Sequence, residues 1–361
     1  MTLNEVASMR LSCQQIGGTK FKTPKDLASW MGALQAQDFA MAIWAIGSRL
    51  AGSSNRSIQT AIDKGSLLRT HVLRPTWHFV SSEDIGWMLA LTGPKILATL
   101  KTREKSLELS AHLFTKSETL FQKALNGKSS LTREELISIL NKNKIETDHN
   151  RGSHLLVHAE LTGLICSGQS KGNKQTYALL SERVRRSKHL SREASLEKLA
   201  DKYFSSHGPA TVSDFIWWSG LSPKDARHAI EIIQNRFHSE SIGKDLYWFG
   251  QTSDMASLSQ QKLFLLPAYD EYIISYKSRV ASLQAVHNTR AISSNGIFRP
   301  VIVLNGQVIG LWRRTTKNQT LIIETELFQK IKPALKDQLE EAVKQFGQFF
   351  DLETMHQSKS V

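Results

Sequence analysis

Ser130-Leu131-Thr132-Arg133-Glu134-Glu135-Leu136 is the stretch that decides the fold. Hydroxyl residues stand at the cap positions and two carboxylates follow in the first turn, which is how a helix starts. A second helix is predicted over residues 152–161. Gly163-Leu164-Ile165-Cys166-Ser167 then reads as a strand, and Gln169-Ser170-Lys171-Gly172-Asn173-Lys174 as a basic turn. Gln175-Thr176-Tyr177-Ala178-Leu179 reads as the returning strand. Helix-turn-helix followed by a β-hairpin is a winged helix, whose recognition helix enters the DNA major groove.

The same grammar recurs on either side. Towards the N-terminus, residues 24–47 are rich in helix formers, and a short helix over 57–63 has Asn55 as its cap. Leu67-Leu68-Arg69-Thr70-His71-Val72-Leu73 and Thr76-Trp77-His78-Phe79-Val80 read as strands around Arg74-Pro75. Towards the C-terminus, helical segments over 196–204 and around 208–218 lead to a helix over 222–234, with Pro223 at its first turn. A hairpin, 237–241 against 246–249, follows. The spacing is too irregular for a solenoid, so three tandem modules are expected.

After Leu263 the pattern changes to short strands at 264–266, 273–276, 300–304, 307–312 and 320–323. Asn305-Gly306 between two of them is a strong signal for a type I′ hairpin turn. An amphipathic helix is predicted from Pro333 to about Phe349, with a loose tail from Glu353. The expected class is therefore α+β, with tandem winged-helix modules followed by a small C-terminal β-barrel and a closing helix. Boundaries are expected at 1–115 (first module with connecting helices), 116–190, 191–256 and 257–361.

Composition narrows the partner. The chain carries 46 Lys and Arg against 33 Asp and Glu, a net charge of +13, which favours a polyanion such as nucleic acid. No apolar run reaches the length of a membrane span, and Asn4, Glu5 and Arg10 interrupt any signal-peptide core. Cys13 and Cys166 form neither a disulfide framework nor a Cys-x-x-Cys metal site. A cytoplasmic, nucleoid-associated monomer with no cofactor, no metal and no membrane partner is expected.

Within the apolar surroundings of the first module stands Gln35-Ala36-Gln37-Asp38. A buried amide without partners costs roughly 1–3 kcal/mol, so such a pair is either satisfied by backbone and water or lines a polar pocket. Glutamine does not titrate usefully at neutral pH, but its carbonyl accepts and its amine donates. Two of them can orient one water. From these residues alone, a helix whose amides bind neighbouring backbone stays open as the alternative.

The combination of Gln35-Ala36-Gln37-Asp38, Arg69-Thr70-His71-Val72-Leu73-Arg74-Pro75-Thr76-Trp77-His78 and Leu265-Leu266-Pro267-Ala268-Tyr269-Asp270-Glu271-Tyr272 resembles the AlkZ-like family. These are bacterial winged-helix DNA glycosylases that remove alkylated bases and can unhook interstrand cross-links. The resemblance covers nearly the whole chain. It implies three winged-helix modules and a β-barrel in a C-shape around duplex DNA. It also implies a catalytic Gln-aliphatic-Gln signature, which Gln35 and Gln37 match with Ala36 between them. The family's DNA-probing hairpin has no placed match in this chain.

On that resemblance the chain is expected to be a monofunctional glycosylase, since no lysine adjoins the motif as a Schiff-base nucleophile. Positioning a water suffices when the leaving group is already good, and an alkylated purine is cationic. Asp38 either stabilises the positive charge developing on the sugar or caps a helix. DNA contact is expected from Arg69, Arg74, Lys171, Lys174, Arg183, Arg185, Arg186, Arg313 and Arg314, each suited to phosphate. Lys188 and Arg192 extend the same basic run.

His154 and His158 share a helix face, but Leu155 stands where a metalloprotease needs Glu, so a core-edge pair is the reading. Asp270-Glu271 is read as structural, on a strand whose adjacent side chains face opposite ways. A non-catalytic winged-helix DNA-binding protein or transcriptional regulator is the alternative function. An RNA-binding or structural protein has only the charge in its favour.

Overall fold

The computed structural model describes residues 1–18, 20–127, 130–184, 190–250, 262–330 and 332–359. Two compact units emerge, Met1–Gln59 with Leu196–Val361, and Thr60–Ser195. The division falls inside the helix Asn55–Asp63.

In the unit Thr60–Ser195, the stretch that opened the sequence reading folds as expected. Thr132 caps the helix Arg133–Lys142 in a reciprocal box with Glu135. Helix Arg151–Leu161 follows, and strands Leu131–Thr132, Thr176–Leu179 and Ile165–Ser167 form one sheet in that order. Leu136, Leu140, Leu155, Leu156, Ile165 and Leu179 close its core. Strands Leu67–Val72 and Arg74–Ser81 pair antiparallel, with Leu73 in the left-handed region at φ 64°. The reversal is therefore at Leu73, and Arg74 and Pro75 lie within the second strand rather than in a turn. A long helix, Ile85–Ser106, follows this hairpin.

The other unit contains a further winged helix. Helices Arg192–His207, Val212–Ser219 and Pro223–Ile233 precede strands Phe237–Ile242 and Asp245–Gly250, which pair as a hairpin. Ala210 exchanges both backbone hydrogen bonds with Trp248, at 3.0 and 2.8 Å, and so adds one residue of strand to the hairpin. Tyr203, Phe204, Phe215 and Trp218 pack ring against ring behind it.

The C-terminal β-barrel is not formed. Five strands make an open sheet in the order Glu353–Lys359, Thr320–Leu327, Gln307–Lys317, Val301–Leu304, Leu263–Leu266. A barrel needs its first and last strands to pair. Here the two edge strands do not meet, and helix Pro333–Phe350 packs against both of them instead.

Two smaller expectations also change. The tail from Glu353 is a strand, parallel to Thr320–Leu327 and reached through the helix as in a βαβ unit. Residues 273–276 are not a strand, because Asp270 caps a short helix, Glu271–Ile274, by accepting from the Tyr272 amide. The Asn305-Gly306 turn is as expected: Leu304 faces Gln307, and both turn residues have positive φ, 49° and 85°.

Candidate active site

Helix Pro24–Met31 ends at Gly32, which has φ 76°. A β-carbon there would also meet the Trp218 ring at 3.2 Å, so conformation and space both call for glycine. The chain then runs through a two-residue strand, Leu34–Gln35, into the helix Phe39–Gly47. Gln35 is 6% exposed and Ala36 is fully buried, while Gln37 and Asp38 are exposed. Asp38 caps the helix, its Oδ1 accepting from the Met41 amide at 3.1 Å.

The Gln35 amide N–H donates to Glu271 Oε1 at 2.6 Å. The second oxygen of that carboxylate accepts from Trp218 Nε1 at 3.2 Å and from the Ser275 hydroxyl. Glu271, Trp218 and Ser275 are all essentially buried. His207 Nε2 lies 3.7 Å from Glu271, beyond hydrogen-bond reach. Burial pushes the His207 pKa down, against the pull of Glu271.

Asp270 meets Arg49 through two bonds, at 2.7 and 2.8 Å, with both side chains buried. Arg49 also donates to the Gln14 side chain at 2.9 Å; Gln14 donates to the Tyr276 hydroxyl at 2.9 Å. That hydroxyl in turn donates to the His207 carbonyl at 2.8 Å. Sequence reading missed this network, since it placed Asp270 and Glu271 on a strand. At the start of a helix, one carboxylate serves Arg49 and the other reaches Gln35.

In the unit Thr60–Ser195, Arg69 lies over the Trp77 ring at 4.2 Å, and its backbone N–H donates to Ser167 Oγ at 2.8 Å. Trp77 Nε1 donates to Glu160, which also pairs with His71 Nδ1 at 2.7 Å. Arg69, Trp77, Glu160, Arg133, Lys174 and Tyr177 line a cavity of about 300 Å³. Two expected DNA contacts, Arg69 and Lys174, thus share one cavity with Arg133, which sequence reading treated only as part of a helix start.

The remaining basic positions differ. Lys171 pairs with Glu135 on the surface at 3.0 Å. Arg183 donates to the carbonyls of Asp63, at 2.8 Å, and Ile62, closing the end of the helix Asn55–Asp63. Arg74 is half-buried at the start of its strand. Arg313 pairs with Glu324 at 2.6 Å, and Arg314 lies 5.5 Å over Phe350, both inside the strand Gln307–Lys317 rather than at its end. Arg185, Arg186 and Lys188 lie outside the described residues.

His154 and His158 each face a separate carboxylate, Glu104 at 3.8 Å and Glu118 at 3.3 Å. Among the described residues no group of three or more His, Cys, Asp or Glu is placed to hold a metal, and no helix is long and apolar enough to cross a membrane. Burial pushes both cysteine thiols up to about 12.

The family model for DNA glycosylase AlkZ-like matches residues 28–349. The interstrand DNA cross-link repair glycosylase of Streptomyces sahachiroi is 20% identical over 322 residues, which is 85% of this chain and 86% of the relative. The solved structure of Streptomyces sahachiroi DNA glycosylase AlkZ has the same fold, with a TM-score of 0.81. Its identity is 18%, with 99% of this chain and 100% of that chain covered.

Proposed function

The chain belongs to the AlkZ-like family of DNA glycosylases, and from that premise we propose how it works and on what. The substrate is duplex DNA carrying a cationic alkylated purine, with interstrand cross-links as a second substrate class. Gln35 and Gln37 place the water that attacks the anomeric carbon. The observation that supports this reading is the anchoring of the motif. Its first residue is tied through its backbone to buried Glu271, and its last caps a helix, with exposed Gln37 between them.

The chemistry follows from the residue types. A glutamine amide can accept one proton of a water and donate to its oxygen, but it cannot take the proton away. Orientation lowers the entropic part of the barrier, while the positive charge on the alkylated base makes it a good leaving group. Asp38 adds negative charge beside the motif, where the sugar becomes cationic in the transition state. The glycosidic C1′–N bond breaks, the base leaves as a neutral alkylpurine, and water adds at C1′ and gives up one proton to solvent, leaving an abasic site.

Arg69, Arg133 and Lys174, around one cavity, supply phosphate contacts in this reading. Arg69 is well prepared for it, because stacking on Trp77 holds its planar fork in place. Three winged-helix modules over 1–115, 116–190 and 191–256, with the sheet domain over 257–361, carry these groups on a monomer in the cytoplasm.

The test is to incubate the protein with duplex DNA carrying 7-methylguanine, or a cross-linked duplex, and to assay abasic sites and unhooked strands. Base release from the methylated duplex is expected without added metal or cofactor. If neither substrate loses a base, the substrate reading fails.

A further inference from the structure

We infer that Glu271 is a positioning residue for the reaction, acting through Gln35. This rests on the glycosylase reading above, and it gives a role to a carboxylate that the water-placing chemistry does not itself use.

Burying a carboxylate is costly, and a fold has cheaper ways to satisfy one peptide N–H. Yet Glu271 is 1% exposed, and one of its two oxygens is committed to the Gln35 amide across 236 positions of sequence. At 2.6 Å that bond is short, as expected for a charged acceptor. The other oxygen is held by Trp218 Nε1 and the Ser275 hydroxyl, so the carboxylate has no freedom to rotate. Trp218 also packs against Gly32, three residues before Gln35, so one indole sets both the approach of the chain and the carboxylate that catches it.

The need for such an anchor is plain from the local structure. Leu34–Gln35 is a strand of only two residues. Downstream, the Asp38 cap fixes the start of the helix Phe39–Gly47. The span from Gln35 to Asp38 is therefore clamped at both ends, and Glu271 supplies the clamp at the catalytic amide. Loss of that clamp lets the Gln35 backbone, and with it the carbonyl that orients water, drift from the reacting geometry.

Glu271→Gln keeps the carbonyl that accepts from the Gln35 amide but sets an amine where Oε2 accepts from Trp218 Nε1 and the Ser275 hydroxyl, so its denaturant midpoint is measured beside its rate. Under single-turnover conditions, base release by Glu271→Gln should fall roughly 10- to 100-fold, with DNA affinity unchanged. The double variant Gln35→Ala/Glu271→Gln should be no slower than Gln35→Ala alone, because the second change acts only through the first.

Independently of any variant, the Gln35 amide of the wild type should exchange its proton slowly with deuterium. Multiplying effects in the double variant, a loss confined to DNA affinity, or fast exchange at Gln35 would each overturn the assignment. So would a Glu271→Gln protein as fast as wild type, in which case the glycosylase reading survives. A wild type that releases no base from either substrate defeats that reading first, and this role with it.

Discussion

Asp38 has a structural duty and a proposed chemical one, and substitution can separate them. Its carboxylate caps the helix Phe39–Gly47 through the Met41 amide. Asn caps a helix about as well as Asp, whereas Ala costs about 1 kcal/mol. Asp38→Asn should therefore unfold at the wild-type denaturant midpoint, and Asp38→Ala should unfold earlier. If the charge also steadies the cationic sugar, Asp38→Asn should still release base roughly tenfold more slowly. Equal rates for Asp38→Asn and wild type would leave Asp38 as a cap alone. The glutamines and this cap were legible in sequence, because an amide pair and an acidic residue before Phe39 stand out locally. Glu271 was not. Its hydrogen bonds come from Gln35, Trp218 and Ser275, which only the fold brings together, and the β-branched pair Ile273-Ile274 argued for a strand that the Asp270 cap overrides.

The elements around the site are tied by the Arg49–Asp270 pair, which joins the region of helix Phe39–Gly47 to the short helix Glu271–Ile274. Both partners are buried, so removing one strands the charge of the other. Arg49→Met should lower unfolding free energy by about 3–5 kcal/mol, measured by denaturant titration. A loss below about 1 kcal/mol would mean that the pair is not fully desolvated. The modules themselves were readable, since caps, periodicity and turn residues all agreed, as at Thr132 and Asn305-Gly306. The strand Glu353–Lys359 was unreadable for a physical reason. Apart from exposed Met355 its residues are polar, and it is held through its backbone to a parallel neighbour rather than by an apolar face. The barrel expectation failed with it, because a polar tail that takes an edge of the sheet, beside a helix lying on both edges, leaves nothing to close.

At the scale of the molecule, one buried histidine, His207, and two half-buried ones, His154 and His158, shape the response to acid. Desolvation lowers the pKa of His207, His154 and His158 below the value near 6.5 that each recovers on unfolding. A depressed histidine contributes stability above the unfolded pKa and loses it as pH falls towards the folded one. Glu104 has the opposite sign: burial raises its pKa, so its contribution is present at low pH and is lost as pH rises. Through these histidines the melting temperature should fall between pH 7 and pH 5. A melting temperature that rises over that interval would contradict the desolvation of these rings.

The most direct test of the account is the rate at which enzyme in excess releases 7-methylguanine from duplex DNA, for wild type, Gln35→Ala and Gln37→Ala. If the two amides place the water, both variants should be slower by roughly 100-fold or more while binding the duplex as tightly as wild type. Variants that release base at the wild-type rate would contradict it.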